Sequence, residues 1–184
     1  MSAERRVVRS AQTDQLAPQL LEELTRLCEA AFEESFEGAW DRVGPGLHVM
    51  AEVDRRIVAH AMIVDRRVYV GDEMDVALDT GYVEHVATLP SEQQRGHGAA
   101  VMREIDRIIG EEYVLGGLAT GSNAFYERLG WETWRGPTSV RTADGERVRS
   151  ASEDGGVMVL RTVRTPRLSL DEPIAIDWRA EAPW

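Results

Sequence analysis

The sequence predicts a mixed α/β fold, and the pattern of strands and helices is the main reason. Strand patterns outnumber helix patterns along the 184 residues, and helices alternate with strands only near the middle of the chain. That middle stretch, residues 81–102, has the pattern of a strand, a glycine-containing turn and a helix. A mixed sheet with a ligand-binding crossover at its centre fits this order. The length suits a single domain over residues 1–184.

The first part of the chain is predicted to contain a strand and a long helix. Residues 5–10 favour a strand, and Thr13 or Asp14 is the candidate N-cap of the following helix. Residues 32–41 are acidic and continue as a shorter helix or a loop. Apolar side chains recur on one face of the long helix, so that face packs on the sheet: Leu16, Leu20, Leu21, Leu24, Leu27, Cys28 and Ala31.

Two strands are expected on either side of a turn at residues 54–56. Residues 47–53 and 57–64 are rich in apolar and β-branched side chains, and His48 and His60 are read as strand residues. The strand pattern of residues 66–70 either extends the second strand or bends away from it. The stretch from Gly71 to Thr80 is polar and acidic, and is predicted to be a loop.

The second half of the chain is predicted to alternate between helix and strand. A helix runs from Gly98 to about Gly110, and Ser122 caps a shorter one. The tail, about residues 165–184, is irregular but rich in Trp and Leu, so we expect it to fold back. Further strands are predicted at residues 113–119, 131–134, 138–140 and 157–160.

The composition restricts the class of partner. The net charge is −11, from 21 basic and 32 acidic residues. This argues against nucleic acid, which needs a basic footprint. It suits a cationic substrate, or it serves only solubility. The chain has no long apolar run and no export signal, and Cys28 is its only cysteine, so we expect a cytoplasmic protein without a membrane span.

The glycine turn of the central stretch, residues 93–98 (QQRGHG), is a candidate anion site. The first amides of a helix have no acceptor within the helix and favour negative charge. No Lys follows as a P-loop would require, and the third glycine of a dinucleotide fingerprint is missing. The alternative is a connection whose glycines only relieve strain.

The pattern Gln-x-x-Gly-x-Gly after a strand resembles the pyrophosphate-binding loop of the GNAT superfamily of N-acetyltransferases. Residues 122–131 (SNAFYERLGW) resemble the second signature of that superfamily, a helix with Tyr ahead of Leu-Gly-aromatic. The order and spacing of the two signatures agree with the superfamily as well. This resemblance implies a mixed, centrally splayed β-sheet with helices on both faces, and acetyl-CoA as the cofactor.

Other blocks resemble the aminoglycoside 2′-N-acetyltransferases, and together they extend over nearly the whole chain. They are residues 57–61, 81–84, 136–140 and 154–155, and a C-terminus of Asp-Trp-Arg-Ala ending in Trp184. The resemblance implies acetyl transfer from acetyl-CoA to the 2′-amine of an aminoglycoside, in a homodimer.

Roles for single residues follow from the resemblance. The backbone at Val86 to Thr88 is expected to pair with the pantetheine arm, and the Val86 amide to polarise the thioester carbonyl. Loop amides would hold the pyrophosphate. The expected coenzyme-binding residues are Val86, Ala87, Thr88, Gln93, Gln94, Arg95, Gly96, His97, Gly98, Ala99 and Asn123.

Two side chains are the catalytic candidates. Glu84 is the expected base for the amine, or it only binds an ammonium group. Tyr126 is the expected acid for the departing thiolate, or it only packs and anchors its hydroxyl. His85 is expected on the strand face opposite Glu84. No metal site is predicted, because His and carboxylates lack ligand spacing.

The acceptor half of the site departs from the family pattern. His85 stands where a glycine is expected, and Ala182 where an acidic residue is expected, with Glu181 one place earlier. Another small amine or amino sugar is therefore a second hypothesis, and a non-catalytic acyl-CoA-binding module a third. The expected substrate-binding residues are Glu33, Glu37, Glu84, His85, Glu153, Asp154 and the carboxylate of Trp184.

Overall fold

The structure is a computed structural model that describes residues 5–73, 76–180 and 183–184. Its α-helices are α1 (Pro18–Phe32), α2 (Ala39–Val43), α3 (His97–Glu112) and α4 (Asn123–Glu127). Its strands are β1 (Arg6–Gln12), β2 (Leu47–Val53), β3 (Arg56–Val70), β4 (Val76–Thr88), β5 (Leu115–Ala119), β6 (Glu132–Thr133), β7 (Thr138–Arg141), β8 (Arg147–Arg149), β9 (Val157–Arg161) and β10 (Ile174–Asp177).

The chain forms two compact units, the first made of Met1–Val64 and Val83–Arg107. Here β1, β2 and the first half of β3 pair in antiparallel order, with Met50 opposite His60. The apolar face of α1 is buried, as its helical spacing predicts. Leu24, Leu27 and Cys28 pack there in one core cluster that also contains Met50 of β2.

The second unit consists of Asp65–Tyr82 and Ile108–Trp184. The start of β4 runs parallel to β5, and β5, β9 and β6 continue in antiparallel order. The end of β3 pairs with β10, which runs parallel to β7, and β8 completes that side. A Cβ on Gly116 would lie 2.9 Å from Leu160, so glycine permits the close packing of this strand.

Both long strands, β3 and β4, contribute residues to each unit. The described strands form a mixed sheet whose main path runs β6-β9-β5-β4-β3-β10-β7-β8, and β2 joins β1 to β3. Parallel pairs occur at β4–β5 and β7–β10, and the other pairs with a described register are antiparallel. The predicted mixed α/β sheet is confirmed.

Two predictions about the first half of the chain are wrong. The N-cap of α1 is Ala17 ahead of Pro18, whereas residues 13–15 form a short 3-10 turn. Thr13 does not cap α1, because its hydroxyl interacts with Gly46 and His48. The predicted loop at residues 71–80 is also shorter, because β4 begins at Val76.

The acidic composition hid the start of β4. Leu78 and Thr80 are buried, and Asp79 between them is exposed. This alternation is typical of a strand with one solvent-exposed face. Two further strands were not predicted. The predicted irregular tail contains β10, and β8 follows the turn at residues 144–145.

Candidate functional site

The middle of β4 carries the predicted base, Glu84. Tyr82 and Val83 are buried, and the next three residues, Glu84, His85 and Val86, are half-buried. His85 has a φ of +52°, in the left-handed region that residues with a Cβ rarely adopt. This residue therefore interrupts the regular pleat on which the predicted alternation of Glu84 and His85 depended.

The His85 ring packs in an aromatic cluster within the first unit. Its centroid lies 4.6 Å from that of Phe36 and 5.3 Å from that of Trp40, both in edge geometry. The Trp40 indole N–H donates to the Thr25 hydroxyl at 2.9 Å, which fixes the ring at the centre of the cluster. Residues 36–40, predicted as a helix or loop, thus supply the aromatic side chains that cover His85.

The glycine turn leads directly into α3 and has the backbone shape of an anion-binding loop. Gln94 and Gly96 have φ values of +60° and +79°. The first helical hydrogen bond runs from the Ala100 amide to the Gly96 carbonyl at 3.1 Å. The amides of the first turn, which begins at His97, therefore have no acceptor within the helix. Turns with left-handed residues ahead of a helix are common phosphate cradles.

Side chains of the turn are held close to the backbone. Arg6 donates to the Gly96 carbonyl at 3.2 Å. Arg95 forms an exposed ion pair with Glu92 at 2.9 Å. The His97 ring is buried, with Nε2 3.6 Å from the same carboxylate. Because the ring is buried, the backbone amide of His97 is the group that fits the predicted contact with an anion.

The second signature forms α4, and it buries Tyr126. The ring packs in edge geometry against Phe125, with centroids 4.9 Å apart. Burial raises the pKa of the phenol to about 12, opposed in part by a hydrogen bond with Thr120. The group is thus protonated throughout the neutral range, as a proton donor must be.

Asn123 begins α4 and connects it to two neighbouring segments. Its amide nitrogen donates to the Thr133 hydroxyl at 3.0 Å and to the Gly155 carbonyl at 2.8 Å. These contacts fix the orientation of the first turn of α4. The predicted coenzyme role of Asn123 stays a prediction.

Asp154 lies in a dense polar network of the second unit. It accepts hydrogen bonds from the backbone and hydroxyl of Thr138 at 3.0 and 2.9 Å, and it pairs with Arg149. The Arg149 hydrogen bonds, followed by that from the Thr138 backbone, hold the pKa of this carboxyl well below its usual range. Asp154 is therefore ionised, but its charge is largely balanced by the guanidinium.

The C-terminal Trp184 joins the same network. Its indole N–H donates to Ser150 Oγ at 3.0 Å, and that hydroxyl donates to Thr138 Oγ1 at 3.3 Å. Arg66 donates to the carbonyls of Asp177 and Pro183, at 2.6 and 3.0 Å. These contacts connect Trp184 to the polar network that contains Asp154. Residues 181–182, including Ala182, lie outside the described residues.

The remaining acidic candidates are spread over the surface. Glu33 is exposed at the C-terminal end of α1, with φ +58°, and Glu37 is exposed a few residues later. Glu153 is half-buried in a 3-10 turn next to Asp154. Within the described residues, no three His, Cys, Asp or Glu side chains are grouped to hold a metal. No described helix is long and apolar enough to cross a bilayer.

Sequence reasoning missed one buried polar cluster. His48 and His60 are fully buried and lie 3.0 Å apart, between Nδ1 and Nε2. Met50 of β2 lies opposite His60 of β3, and His48 lies two residues before Met50 in β2, so His48 and His60 are diagonal neighbours on adjacent strands. The register of the predicted hairpin around residues 54–56 was the signal that could have revealed this pair.

Comparison with known proteins agrees with this geometry. Residues 12–134 match the acetyltransferase (GNAT) domain family. The chain belongs to the GNAT family of acetyltransferases. This acetyltransferase is also 33% identical over 181 residues to an aminoglycoside 2′-N-acetyltransferase of Mycolicibacterium fortuitum. The alignment covers 96% of the chain and 91% of that protein.

Solved structures of low identity share the fold of this acetyltransferase. A GNAT family N-acetyltransferase from Escherichia coli, in complex with CoA, superposes with a TM-score of 0.65 at 15% identity, covering 96% of this chain and 91% of that one. A GNAT family acetyltransferase from Brucella melitensis, in complex with acetyl-CoA, gives a TM-score of 0.60 at 19% identity, covering 94% and 96%. The resemblance seen in the two signatures is therefore confirmed at the level of fold and family.

Proposed function

We propose that this acetyltransferase transfers the acetyl group of acetyl-CoA to the 2′-amine of an aminoglycoside. The observation that carries the acceptor class is the similarity along nearly the whole chain to a 2′-N-acetyltransferase, which includes the C-terminal segment beyond the GNAT signatures. The acidic balance of the chain, −11 overall, supports a polycationic acceptor by electrostatic attraction.

The glycine turn fits the coenzyme. When bound, acetyl-CoA supplies an activated thioester whose carbonyl carbon accepts the amine. The backbone amides of residues 95–99 bind the pyrophosphate, because residues 95–96 directly precede α3 and the amides of residues 97–99 lie in its first turn, where the helix offers no acceptors. At Gly96 the nearest atom to an added Cβ would be Arg6 Nη1 at 3.9 Å, so the backbone is open to a phosphate. Asn123 adds a side-chain contact.

Glu84 and the residues after His85 in β4 provide the reacting geometry. The backbone of Val86, Ala87 and Thr88 pairs with the extended pantetheine arm. The Val86 amide donates to the thioester oxygen as negative charge develops there. Glu84 accepts a proton from the ammonium group, directly or through water, because only the neutral amine is a nucleophile.

Tyr126 provides the complementary proton transfer. Its hydroxyl donates to the sulfur of the departing thiolate, and its raised pKa keeps the proton available at neutral pH. Tyr126→Phe removes the hydroxyl that carries this proton and keeps the ring, so we expect kcat to fall about 100-fold while the KM for acetyl-CoA is unchanged. Phe125→Leu, next to it in α4, is the control for loss of packing.

Carboxylates bind the amines of the acceptor. Glu84 and Glu153 are the proposed ion-pair contacts and Trp184 is a further proposed contact, with Glu33 and Glu37 adding negative charge near α2. Asp154 takes part through the network that fixes Trp184. His85 lines the acceptor side next to Glu84, where its ring replaces the small residue expected for the family.

Kanamycin B and kanamycin A test the proposal, because they differ at the 2′ position, amine in the first and hydroxyl in the second. We expect thiol release from acetyl-CoA with kanamycin B and none above background with kanamycin A. Equal rates with both would contradict 2′ specificity.

The second candidate acceptor is another small polyamine or amino sugar. The observation that favours it is His85, whose bulky ring follows Glu84 directly and packs on Phe36 and Trp40. A panel of polyamines and monosaccharide amines, measured with the same thiol assay, separates the two candidates. If thiol release stays at background with every amine, the chain is a non-catalytic acyl-CoA-binding module.

We also propose a homodimer, as the family resemblance implies. Light scattering coupled to size-exclusion chromatography should give a mass close to twice 20.5 kDa. A mass of one chain at assay concentration would contradict it.

A further inference from the structure

A continuous chain of hydrogen bonds crosses the interior of the first unit. The Gly46 amide donates to Thr13 Oγ1 at 2.9 Å, and that hydroxyl lies 3.1 Å from His48 Nε2. His48 Nδ1 lies 3.0 Å from His60 Nε2. His60 Nδ1 then lies 3.2 Å from the backbone carbonyl of His85. Both intervening rings are fully buried.

The direction of this chain follows from its two ends. Burial lowers the pKa of both His48 and His60, so each ring carries one proton at neutral pH. The His85 carbonyl only accepts, so the proton of His60 is on Nδ1 and its Nε2 accepts from His48 Nδ1. His48 Nε2 then accepts from the hydroxyl of Thr13.

A single arrangement of protons therefore satisfies every group in the chain. The Thr13 hydroxyl also lies 2.9 Å from the Gly46 carbonyl, which competes with His48 Nε2 for its single proton. The Gly46 carbonyl has a second donor, the Thr13 backbone amide at 3.0 Å, so the hydroxyl proton can go to His48 without leaving this carbonyl unsatisfied. If the proton of His60 moved to Nε2, that nitrogen would face the donor of His48, and the His85 carbonyl would lose its bond.

The end of the chain coincides with the backbone distortion in β4. His85 is the residue with φ +52°, and its carbonyl points to His60 of β3. Its ring is held separately by Phe36 and Trp40. Trp40 also contacts both relay rings, with centroids 5.3 Å from His48 and 5.6 Å from His60. The carbonyl of His85 is thus held by His60, and its ring is held by Phe36 and Trp40.

We propose that His48 and His60 are positioning residues, which hold the His85 carbonyl at the distorted point of β4 and thereby orient the Glu84 carboxylate and the Val86 amide. The inference rests on the proposed roles of those two neighbours in acetyl transfer. Neither imidazole exchanges a proton with substrate. They act through the backbone, since φ and ψ at residue 85 set the directions of the groups on either side of it.

Two substitutions at position 60 separate the hydrogen bond from the packing. His60→Leu keeps an apolar side chain of similar size but removes the donor. His60→Asn restores an N–H donor, because the amide nitrogen of Asn is the same number of bonds from Cα as Nδ1 of His. Val58→Ala, two residues earlier in β3 and fully buried, is the control for a general loss of packing.

The kinetic arm measures kcat and the KM for acetyl-CoA with kanamycin B. For His60→Leu we expect kcat to fall roughly 10- to 100-fold, because the hydrogen bond from His60 that holds the His85 carbonyl is lost, with the KM for acetyl-CoA within about threefold. His60→Asn should recover most of the loss, and Val58→Ala should leave kcat unchanged. A wild-type kcat in His60→Leu, or no recovery in His60→Asn, would overturn the proposal.

The spectroscopic arm uses the wild-type protein and needs neither a folded variant nor activity. Long-range ¹H–¹⁵N correlation spectra distinguish a protonated Nδ1 from a protonated Nε2 in each ring. We expect the proton on Nδ1 in both His48 and His60, and the Nε2 tautomer in His60 would overturn the relay. Absence of acetylation by a wild-type protein with the expected tautomers would instead refute the proposed function.

Discussion

The burial of His48 predicts that the protein loses stability in mildly acidic solution. The ring is fully buried, and burial lowers its pKa from 6.5 to about 4. Between these values the unfolded chain binds a proton that the folded chain does not, so unfolding is favoured as the pH falls. The contribution of His48 is therefore complete above about pH 6.5, declines from there to about pH 4, and stays lost below it.

The size of the effect follows from the same two values. At about 1.4 kcal/mol per pH unit, the gap between 6.5 and about 4 amounts to about 3 kcal/mol. This is a large share of the roughly 5–15 kcal/mol by which a domain is stable. The pKa of His60 is lowered as well, by burial first and by the charge of His48 second, so its contribution has the same sign.

Urea unfolding followed by tryptophan fluorescence, from about pH 7.5 to about pH 4, measures the free energy of unfolding. His48→Gln removes the titrating group, so the wild type should lose about 3 kcal/mol more than this variant across that range. Val58→Ala keeps the histidine and should follow the wild-type slope from a lower starting value. Parallel curves for wild type and His48→Gln, or a His48 pKa near 6.5 by NMR titration, would refute the reasoning.

Three further predictions concern other parts of the chain. Gly136→Ala should lower the free energy of unfolding by about 3 kcal/mol or more, because the new Cβ would lie 1.9 Å from the Glu172 carbonyl oxygen. Gly110→Ala should raise the free energy of unfolding by about 1 kcal/mol, because Gly110 is exposed in a helix and its new Cβ would have nothing within 4 Å. Equal effects of the two variants in urea unfolding would contradict the steric argument. If Tyr126 is the acid, its ionisation should cause no decline in kcat up to about pH 10, because the pKa of its phenol is raised to about 12. A decline in kcat near neutral pH that disappears in Tyr126→Phe would contradict this prediction. Arg66→Ala should raise the KM for kanamycin B about tenfold and leave the KM for acetyl-CoA unchanged, because the variant loses the hydrogen bond to the Pro183 carbonyl next to Trp184. Unchanged KM values would show that this contact does not support the acceptor site.

The local pattern of the chain was enough to predict the glycine turn and the helix that carries Tyr126. Residues 93–96 form the turn before α3, and residues 122–131 contain α4 with a buried Tyr126. Both are segments in which neighbours along the chain define the geometry, because a helix N-terminus and its turn are built from consecutive residues. Family membership followed from these two segments and is confirmed by the comparison.

Elsewhere, contacts between distant residues overruled local signals. Thr13 is a residue type that often caps helices, yet its hydroxyl forms hydrogen bonds with Gly46, which is 33 residues away in sequence. The tail was predicted to be irregular, but Ile174–Asp177 joins the sheet because β3 and β7 offer it pairing edges on both sides. Neither partner is visible in a window of neighbouring residues.

The sequence by itself determined that this is an acetyltransferase fold with a glycine turn and a protonatable Tyr126, because those features are written in short contiguous motifs. Only the tertiary structure decided how the centre of β4 is shaped. There His85, where the resemblance to the family leads us to expect glycine, adopts a φ of +52°, and its carbonyl lies 3.2 Å from His60 Nδ1, while His60 in turn contacts His48. The cost of that backbone conformation is offset by contacts that exist only after β2, β3 and β4 have come together.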